Sequence, residues 1–176
     1  MAVDLTALIV DVPDFPRPGV GFKDITPLLA SPGGLRVAVD GLVRLAPTEV
    51  DVVVGLEARG FLFGAPTALA LGVGFVPVRK PGKLPRSVVA TTFDLEYGTD
   101  TIAVHADALA PGARVLIVDD LLATGGTLVA AAGLVRHLGA EVAGIVVVAE
   151  LAFLGGRSRL AAAGLTVDAL LCFEHG

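Results

Sequence analysis

The chain has little cysteine and few aromatic residues, and both shortages exclude classes of protein. Cys172 is its one cysteine, so no internal disulfide can form and nothing points to a secreted, disulfide-stabilised fold. It lies in the apolar run Leu-Leu-Cys-Phe, which predicts a buried packing residue rather than a nucleophile. Aromatic residues make up only 5% of the chain, whereas apolar residues make up 54%. That balance is typical of a small α/β protein with a sheet covered on both faces.

Positive charge is also scarce, with 13 lysines and arginines against 18 aspartates and glutamates and a net charge of −5. A pI near 5.0 argues against a nucleic-acid-binding domain. The 3 histidines are scattered, without cysteine or acidic residues at ligand spacing, so we expect no structural metal site. The first residues carry no basic region and include Asp4, which is unlike a signal peptide.

One long uncharged stretch, Gly60 to Val78, is long enough to cross a membrane. Glycines and prolines interrupt it, so a helix (Phe61 to Leu71) followed by a buried strand (Gly74 to Val78) fits better. We therefore expect a cytoplasmic protein without a membrane span. A length of 176 residues fits one domain, residues 1–176, with a sizeable core.

A buried strand followed by polar residues forms the centre of the sequence. Val115 to Val118 are an aliphatic run without alternation, which predicts a strand buried on both faces of a parallel sheet. Asp119 and Asp120 come next, and Thr-Gly-Gly-Thr occupies residues 124–127. These polar residues therefore fall in a strand-to-helix loop at the carboxyl edge of the sheet, where open α/β folds bind ligands.

The predicted helix after this loop spans Leu128 to Leu138, with Thr127 as its N-cap and Gly139 as the residue that ends it. Thr-Gly-Gly-Thr offers unobstructed backbone N–H groups, hydroxyls and the positive end of a helix dipole, which suit a phosphate monoester. The Asp pair offers acceptors for neighbouring hydroxyls, such as a ribose diol, or for a hydrated divalent metal. No Gly-Lys-Ser/Thr follows, so this is not a Walker loop, and an ordinary turn explains the whole string poorly.

Two further loops place positive charge at the same edge. The predicted strand Val50 to Val54 ends in Gly-Leu-Glu-Ala-Arg-Gly, where Arg59 beside glycines suits a polyphosphate. The strand Gly74 to Val78 leads into Arg79 to Arg86, which holds two of the three lysines of the chain. Its position after a strand, with proline and glycine between the cations, favours anion binding over a merely solvated surface.

The remaining segments complete a β-α-β alternation of five or six strands, which predicts one doubly wound domain without repeats. The predicted elements are an N-terminal helix (Met1 to Asp11, with Leu5, Leu8 and Ile9 on one side), a helix from Ser31-Pro32 to about Leu45, a mobile flap (Ser87 to Asp94), strands at Thr101 to His105, Glu141 to Ala149 and Leu165 to Phe173, and a loop (Leu151 to Gly156) before a basic patch at Arg157 and Arg159.

Phe22 follows a proline-rich segment and lies in the predicted loop Gly-Val-Gly-Phe-Lys-Asp. An aromatic ring in such a loop either plugs the core or stacks on a flat ligand ring. The local sequence does not decide between the two interpretations.

Val-Asp-Asp-Leu-Leu-Ala-Thr-Gly-Gly-Thr resembles the phosphoribosyl-pyrophosphate (PRPP) signature of type I phosphoribosyltransferases. Further segments resemble the adenine phosphoribosyltransferase family and together span most of the chain. F-P-R-P-G-V-G-F-K-D-I-T (residues 15–26) is similar to the family's base-binding segment, and G-L-E-A-R-G-F-L-F-G (55–64) to its pyrophosphate loop. R-K-P-G-K-L-P (79–85) and L-E-Y-G (95–98) resemble the two ends of its catalytic flap. The combination is highly specific.

This resemblance implies a type I phosphoribosyltransferase fold, with a mostly parallel twisted sheet of five to six strands, helices on both faces, a small N-terminal hood region and a mobile flap. It implies Mg²⁺-dependent transfer of 5-phosphoribose from PRPP to N9 of adenine, giving AMP and pyrophosphate in purine salvage. It also implies a homodimer with Arg79 and Lys83 near the interface. Mg²⁺ would be carried by PRPP, with no metal ligand supplied directly by the protein.

The resemblance further implies a role for each site residue. The catalytic residues would be Glu96, which manages the base proton, Arg59 and Lys83. The ribose and 5′-phosphate of PRPP would be held by Asp119, Asp120, Ala123, Thr124, Gly125, Gly126 and Thr127. Pyrophosphate would be bound by Glu57, Ala58, Arg59, Gly60, Arg79, Lys80 and Lys83. Adenine would be bound by Gly21, Phe22, Lys23 and Leu154, with residues 12–27 as the base-binding segment. The flap, about residues 86–95 with Tyr97 beside it, would close over the site.

Two other functions are weighed against this one. A transferase for another base, such as xanthine or orotate, is predicted to lack the L-E-Y-G and F-P-x-P-G-V segments. The 6-oxopurine relatives commonly use a late lysine, and none follows Lys83. A non-catalytic PRPP-sensing regulator would keep the Asp119 to Thr127 loop without needing Glu96, Arg59 or Lys83, all of which are present, and would often carry a DNA-binding module. Phe93 and Ala103 depart from the family pattern, in which tyrosine and an acidic residue are frequent at those positions.

Overall fold

The computed structural model describes residues 3–95 and 98–175. Its helices are α1 (Thr26–Ala30), α2 (Pro32–Leu45), α3 (Gly60–Leu71), α4 (Gly126–His137) and α5 (Gly156–Ala162). Its strands are β1 (Val10–Val12), β2 (Phe22–Asp24), β3 (Val52–Leu56), β4 (Gly74–Val78), β5 (Val88–Leu95), β6 (Gly98–His105), β7 (Arg114–Leu122), β8 (Glu141–Leu151) and β9 (Asp168–Phe173). Single 3-10 turns lie at Thr6–Leu8 and Ala152–Leu154.

Five parallel strands form the main sheet in the order β4-β3-β7-β8-β9, with β7 at its centre. Alternate residues of a strand point to opposite faces of the sheet. Val115 and Ile117 pack into a core cluster with α4, and Leu116 and Val118 pack into a second cluster with α2 and α3. The predicted fold class, a parallel sheet with helices on both faces, is therefore confirmed, as is the burial of this run on both sides.

Several strands continue past their predicted ends. β3 extends to Leu56, β7 to Leu122 and β8 to Leu151. The register explains the extension, because Leu56 still pairs with Val78 and Leu122 still pairs with Glu150. Backbone groups form the ladder, so the polar side chains that suggested a loop do not interrupt it. Asp119 and Asp120 consequently lie within strand β7, near its carboxyl end, and not in the loop after it.

Helix α2 begins and ends where the sequence predicts. The Ser31 hydroxyl oxygen accepts a hydrogen bond from the Gly34 N–H at 3.1 Å and caps the helix. The uncharged stretch Gly60 to Val78 is α3 followed by β4, also as predicted. Within the described residues, no helix has both the length and the apolar character needed to cross a membrane.

The predicted N-terminal helix is wrong for the residues that the structure describes. Thr6–Leu8 form one 3-10 turn, and β1 then pairs with β2 in an antiparallel hairpin. The three apolar residues of the predicted helix face nevertheless pack together in the α2–α3 cluster. The sequence pattern therefore identified the buried side chains, but strand pairing overrode the local helical preference.

The segment predicted to be a mobile flap forms strand β5, which pairs with β6 in a second antiparallel hairpin. This hairpin packs against α4 and is joined to the end of β4 by paired backbone hydrogen bonds between Arg79 and Ala103, both of 2.8 Å. Its polar, weakly patterned sequence follows from its position outside the main sheet, where one face of each strand is covered less completely.

The predicted burial of Cys172 is wrong, since its side chain is exposed. Cys172 lies on β9, the edge strand of the main sheet. Neighbouring Leu170 and Leu171 pack partly against the α2–α3 cluster. An apolar neighbourhood in sequence therefore does not bury a residue when its strand has a neighbour on one side alone.

Candidate active site

The predicted site segments meet at one edge of the main sheet, because each follows the carboxyl end of a parallel strand. Glu57 to Arg59 follow β3, Arg79 and Lys80 follow β4, Ala123 to Gly125 follow β7, and Leu154 follows β8. The strand order reverses between β3 and β7, since β4 lies outside β3 while β8 and β9 lie outside β7. Open α/β sheets bind ligands in the crevice at such a reversal.

The loop after β7 is shorter than predicted. Gly125 adopts a φ of +80°, and α4 begins at Gly126. Thr127 therefore lies inside the helix, and the prediction that it is the N-cap is wrong, because the cap position requires the left-handed conformation that glycine adopts at low cost. A cavity of about 70 Å³ is lined by Asp119 and residues 121–128. The first N–H groups of a helix lack partners within it, so this cavity suits an anion.

The two adjacent carboxylates at the end of β7 are held in an unfavourable electrostatic environment. Burial raises the pKa of Asp119 well above its ordinary value, and the neighbouring charge of Asp120 raises it further. Burial also raises the pKa of Asp120, against the opposing effect of Arg59. One Asp119 oxygen accepts the Asp120 N–H at 2.9 Å. The pair is therefore short of donors, which is the condition a ligand diol would relieve.

Arg59 lies between the carboxylate pair and the base-binding segment. Its Nε is 2.8 Å from Asp120 Oδ2. That oxygen nevertheless accepts no hydrogen bond of normal geometry from the described residues. The guanidinium carbon also lies 5.2 Å from the centroid of the Phe22 ring. Arg59 thus contacts both Asp120 and Phe22, which are predicted to bind the ribose and the base.

A second group of charges joins the loops after β3 and β4. The Glu57 carboxylate accepts hydrogen bonds from Arg79 Nη2 at 3.0 Å, Arg79 Nε at 3.2 Å and the Lys80 N–H at 2.7 Å. The hydrogen bonds from Arg79 and then from Lys80 lower the pKa of Glu57. Glu57 therefore holds Arg79 and the backbone of Lys80 in place, while Lys83 is exposed beyond them.

The predicted base-binding segment, residues 12–27, contains a half-buried ring and a buried lysine. Phe22 is absent from both core clusters and meets Phe15 edge-on, with ring centroids 5.1 Å apart. Its position argues against the core-plug interpretation. Lys23 is 8% exposed, forms an ion pair with Asp11, and places its Nζ 4.4 Å from the centroid of the Phe173 ring. The hairpin of β1 and β2 is thereby tied to the end of β9.

Leu154 and Gly21 are both exposed, Leu154 in the 3-10 turn after β8 and Gly21 just before β2. Glu96 and Tyr97 lie outside the described residues, so their predicted roles stay predictions. Among residues 3–95 and 98–175, no three His, Cys, Asp or Glu side chains are grouped to hold a metal ion.

Sequence reasoning missed two acidic residues at this edge. Asp100 of β6 forms an ion pair with Lys80, and Glu150 of β8 forms one with Arg157. Glu150 is buried although β8 was predicted to end one residue earlier. An acidic residue directly after a buried strand is the one signal that could have identified Glu150. Nothing local could identify Asp100, because its partner depends on how the β5–β6 hairpin docks.

Comparisons of the sequence and of the fold with known proteins all identify the same family. Residues 32–160 match the phosphoribosyl transferase domain family. The chain is 60% identical over 168 residues to adenine phosphoribosyltransferase from Cutibacterium acnes, covering 95% of both chains. A crystal structure of the adenine phosphoribosyltransferase from Thermoanaerobacter pseudethanolicus superposes with a TM-score of 0.92 at 49% identity, covering 96% of this chain and 98% of the other. The Saccharomyces cerevisiae enzyme, crystallised with an imino-altritol bisphosphate and adenine, gives a TM-score of 0.88 at 44% identity and covers 95% and 96%.

Proposed function

The chain belongs to the adenine phosphoribosyltransferase family, with its type I phosphoribosyltransferase fold, and we propose that it transfers 5-phosphoribose from PRPP to N9 of adenine. The products are AMP and pyrophosphate, which makes the reaction one of purine salvage. The observation that carries this proposal is the meeting of the acidic pair, the start of α4 and the cations after β3 and β4 at one strand-order reversal. The adenine in the yeast complex supports the choice of base.

The sugar phosphate is held by β7 and α4. Ala123 to Thr127 bind the 5′-phosphate through the free N–H groups at the start of α4 and the threonine hydroxyls. Asp119 and Asp120 accept hydrogen bonds from the ribose hydroxyls. Since Asp120 Oδ2 accepts no hydrogen bond of normal geometry from the described residues and desolvation raises the pKa of both carboxyls, hydrogen bonds from a diol would stabilise the pair, which favours PRPP over ligands without adjacent hydroxyls.

The leaving pyrophosphate is neutralised by cations around the reversal. Arg59 and Lys83 act on the departing charge, Arg79 and Lys80 add to the field, and Glu57, Ala58 and Gly60 shape the loop. Arg59 exchanges its contact with Asp120 for pyrophosphate when PRPP binds. PRPP would carry Mg²⁺, which would neutralise charge on the phosphate oxygens, and Asp119 and Asp120 would offer acidic acceptors to the hydrated ion.

The base is held on the side of β2. Phe22 and Leu154 cover the faces of the purine, and backbone groups of Gly21 to Lys23 read its edge. Glu96 manages the proton at N7 of adenine, as a general acid/base or as a fixed charge. Residues 86–95 and Tyr97 close over the site and exclude water, which otherwise hydrolyses PRPP. Wild-type turnover in Glu96→Gln would remove Glu96 from this role.

The chain works as a single domain, residues 1–176, in a homodimer. Arg79 and Lys83 lie near the interface and serve the neighbouring site. The exposure of Lys83 in the isolated chain supports this arrangement. We place the enzyme in the cytoplasm, with adenine, PRPP, AMP and pyrophosphate as its ligands and neither nucleic acid nor membrane as a partner. Sedimentation of the purified chain tests the oligomer, and a monomer would contradict it.

The test of the reaction is a panel of bases with the full chain, Mg²⁺ and PRPP, following nucleotide formation from adenine, hypoxanthine, guanine, xanthine and orotate. We expect turnover with adenine and none comparable with the others. Hypoxanthine turnover at or above that of adenine would overturn the specificity. PRPP binding without turnover of any base would favour the sensor function instead. Omission of Mg²⁺ should abolish product formation, because the pyrophosphate charge is then unneutralised.

A further inference from the structure

Glu150 is a buried carboxylate to which the proposed reaction gives no role. It is 4% exposed and lies on β8, where it pairs with Leu122 of β7 on one side and Cys172 of β9 on the other. Leu122 directly precedes Ala123, the first residue of the phosphate loop (Ala123 to Gly125). Burying a charged carboxylate costs free energy unless the carboxylate is paired and hydrogen-bonded. The partner of Glu150 therefore shows which segments the carboxylate connects.

Arg157 is that partner, and it joins three separate segments. Its Nε lies 3.0 and 3.1 Å from the two Glu150 oxygens, and its Nη2 lies 2.5 Å from Oε2. Its Nη1 donates to the carbonyl oxygen of Val167 at 2.6 Å. One guanidinium therefore connects the end of β8, the first turn of α5 and the segment before β9. Forked contacts of this kind are directional as well as strong.

Gly156, the residue before Arg157, forms a wall of the phosphate loop. A Cβ on Gly156 would stand 2.2 Å from the Ala123 carbonyl oxygen and 2.7 Å from Leu122 Cδ1. A Cβ on Gly125 would stand 2.9 Å from the Gly156 carbonyl oxygen. The backbones of the loop and of α5 are thus in direct contact, and the position of Gly156 limits the width of the loop.

We propose that Glu150 and Arg157 are positioning residues for PRPP, because they fix Gly156 against Ala123 and Gly125 and so set the shape of the 5′-phosphate site. This inference rests on the proposed function. Neither side chain contacts the substrate. The pair acts through the backbone of α5, so its loss should weaken PRPP binding more than adenine binding and should leave the chemical step largely intact.

The test compares Arg157→Lys and Gly156→Ala with the wild-type enzyme. Lysine keeps the charge but cannot contact both Glu150 oxygens and the Val167 carbonyl together. The methyl group added by Gly156→Ala would push the backbone of α5 away from the Ala123 carbonyl oxygen, and so disturbs the same contact directly. Each variant should raise the KM for PRPP about tenfold, and the KM for adenine and kcat should change less than about threefold, since misplacement of a binding group by a fraction of an ångström costs on this order.

Arg114→Lys is the matched control, because Arg114 makes similar forked contacts with Asp51 at the opposite end of β7. It should lower the melting temperature as Arg157→Lys does, with an unchanged KM for PRPP. Equal changes in that KM for the two lysine variants, or a larger rise for adenine than for PRPP, would overturn the positioning role.

Glu150→Gln keeps the test decisive if the other variants fold poorly, because it retains the shape of the side chain and one acceptor oxygen. It should raise the KM for PRPP in the same direction by a smaller factor, and an unchanged value would overturn the proposal. A wild-type enzyme without adenine-dependent product would overturn the proposed function. An active wild type with unaffected variants would overturn the positioning role alone.

Discussion

Strand β7 has one arginine and two carboxylates at each of its ends. At the amino end, Arg114 Nε and Nη2 donate to Asp51 at 3.0 and 2.8 Å, and Nη1 lies 2.6 Å from Glu49. At the carboxyl end, Arg59 faces a half-buried and a buried aspartate, Asp119 and Asp120, with one contact of 2.8 Å to Asp120. One arginine and two carboxylates are thus fully hydrogen-bonded to one another at the amino end, whereas a similar set at the carboxyl end has one such contact.

The difference is electrostatic and follows from burial. Hydrogen bonds from Arg114 lower the pKa of Asp51 to about 2, because its carboxylate is solvated and paired. Burial raises the pKa of Asp119, because its carboxylate is desolvated and next to a like charge. An ion pair whose one role is to stabilise the fold is not expected to leave a carboxylate desolvated and beside a like charge, as Asp119 is. Under the proposed function, the carboxyl end gives up folding stability for affinity towards PRPP, as ligand sites commonly do.

The largest expected effect comes from substituting one aspartate at each end of β7, and it is an effect on catalysis. Asp120→Asn should lower kcat/KM for PRPP about 10- to 100-fold, the loss expected when a charged acceptor of a hydroxyl is removed. Its folding stability should not fall, because the substitution removes a buried charge. Asp51→Asn, the equivalent change at the amino end, should leave kcat/KM within about twofold. Steady-state kinetics and urea unfolding of both variants measure this, and equal activity losses would refute the distinction.

A smaller effect is expected from adding one methyl group at each edge of the sheet. A Cβ on Gly60 would stand 2.7 Å from Asp119 Oδ1 and 3.1 Å from the Val118 carbonyl oxygen. Gly60→Ala should therefore destabilise the fold by about 1–3 kcal/mol, as overpacking does, and should reduce PRPP binding. At the amino edge, a Cβ on Gly74 would meet no atom closer than Val52 Cγ2 at 3.9 Å. Gly74→Ala should change stability by less than about 0.5 kcal/mol in urea unfolding.

The smallest effect is the pH dependence of stability, which should have opposite signs for the two ends. Asp51 has a lowered pKa, so its contribution is present above its ordinary pKa of 3.8 and is lost as the pH falls towards 2. Asp119 has a raised pKa, so its contribution is present below 3.8 and is lost as the pH rises through its folded pKa. Urea midpoints measured from pH 2 to 7 should show a shallower loss of stability towards acid pH in Asp51→Asn, since Asp24, Glu57 and Asp107 also have lowered pKa values, and a smaller opposing change in Asp119→Asn. An unchanged profile in either variant would contradict the assigned cause.

Much of the fold could be predicted because its signals are local. The unalternated run Val115 to Val118 requires two covered faces, and Ser31 before Pro32 requires a helix start, whatever the rest of the chain does. The sequence predicts the ends of β7 and β8 too early, because polar side chains suggest the end of a strand although the backbone pairing continues. The prediction of an N-terminal helix was wrong because β1 pairs with β2, and nothing in the first eleven residues indicates this strand pairing.

The site divides in the same way. The phosphate loop and the cations after β3 and β4 could be predicted to share an edge, since parallel strands bring their carboxyl ends together. The partners of individual side chains could not. No local pattern indicates that Arg59 lies against Asp120 and Phe22, or that Lys80 pairs with Asp100 of a hairpin. Those contacts depend on segments distant in the chain.

Local sequence patterns specified most of the helices and strands, the burial of the central strand on both faces, and the polar and charged residues that follow β3, β4 and β7. Periodicity, turn residues and short motifs act over a few residues and need no partner to have their effect. The tertiary structure alone decided how each charge is balanced. Burial and pairing depend on which elements are neighbours in space, and for that reason two similar sets of charges at the ends of β7 reached opposite states.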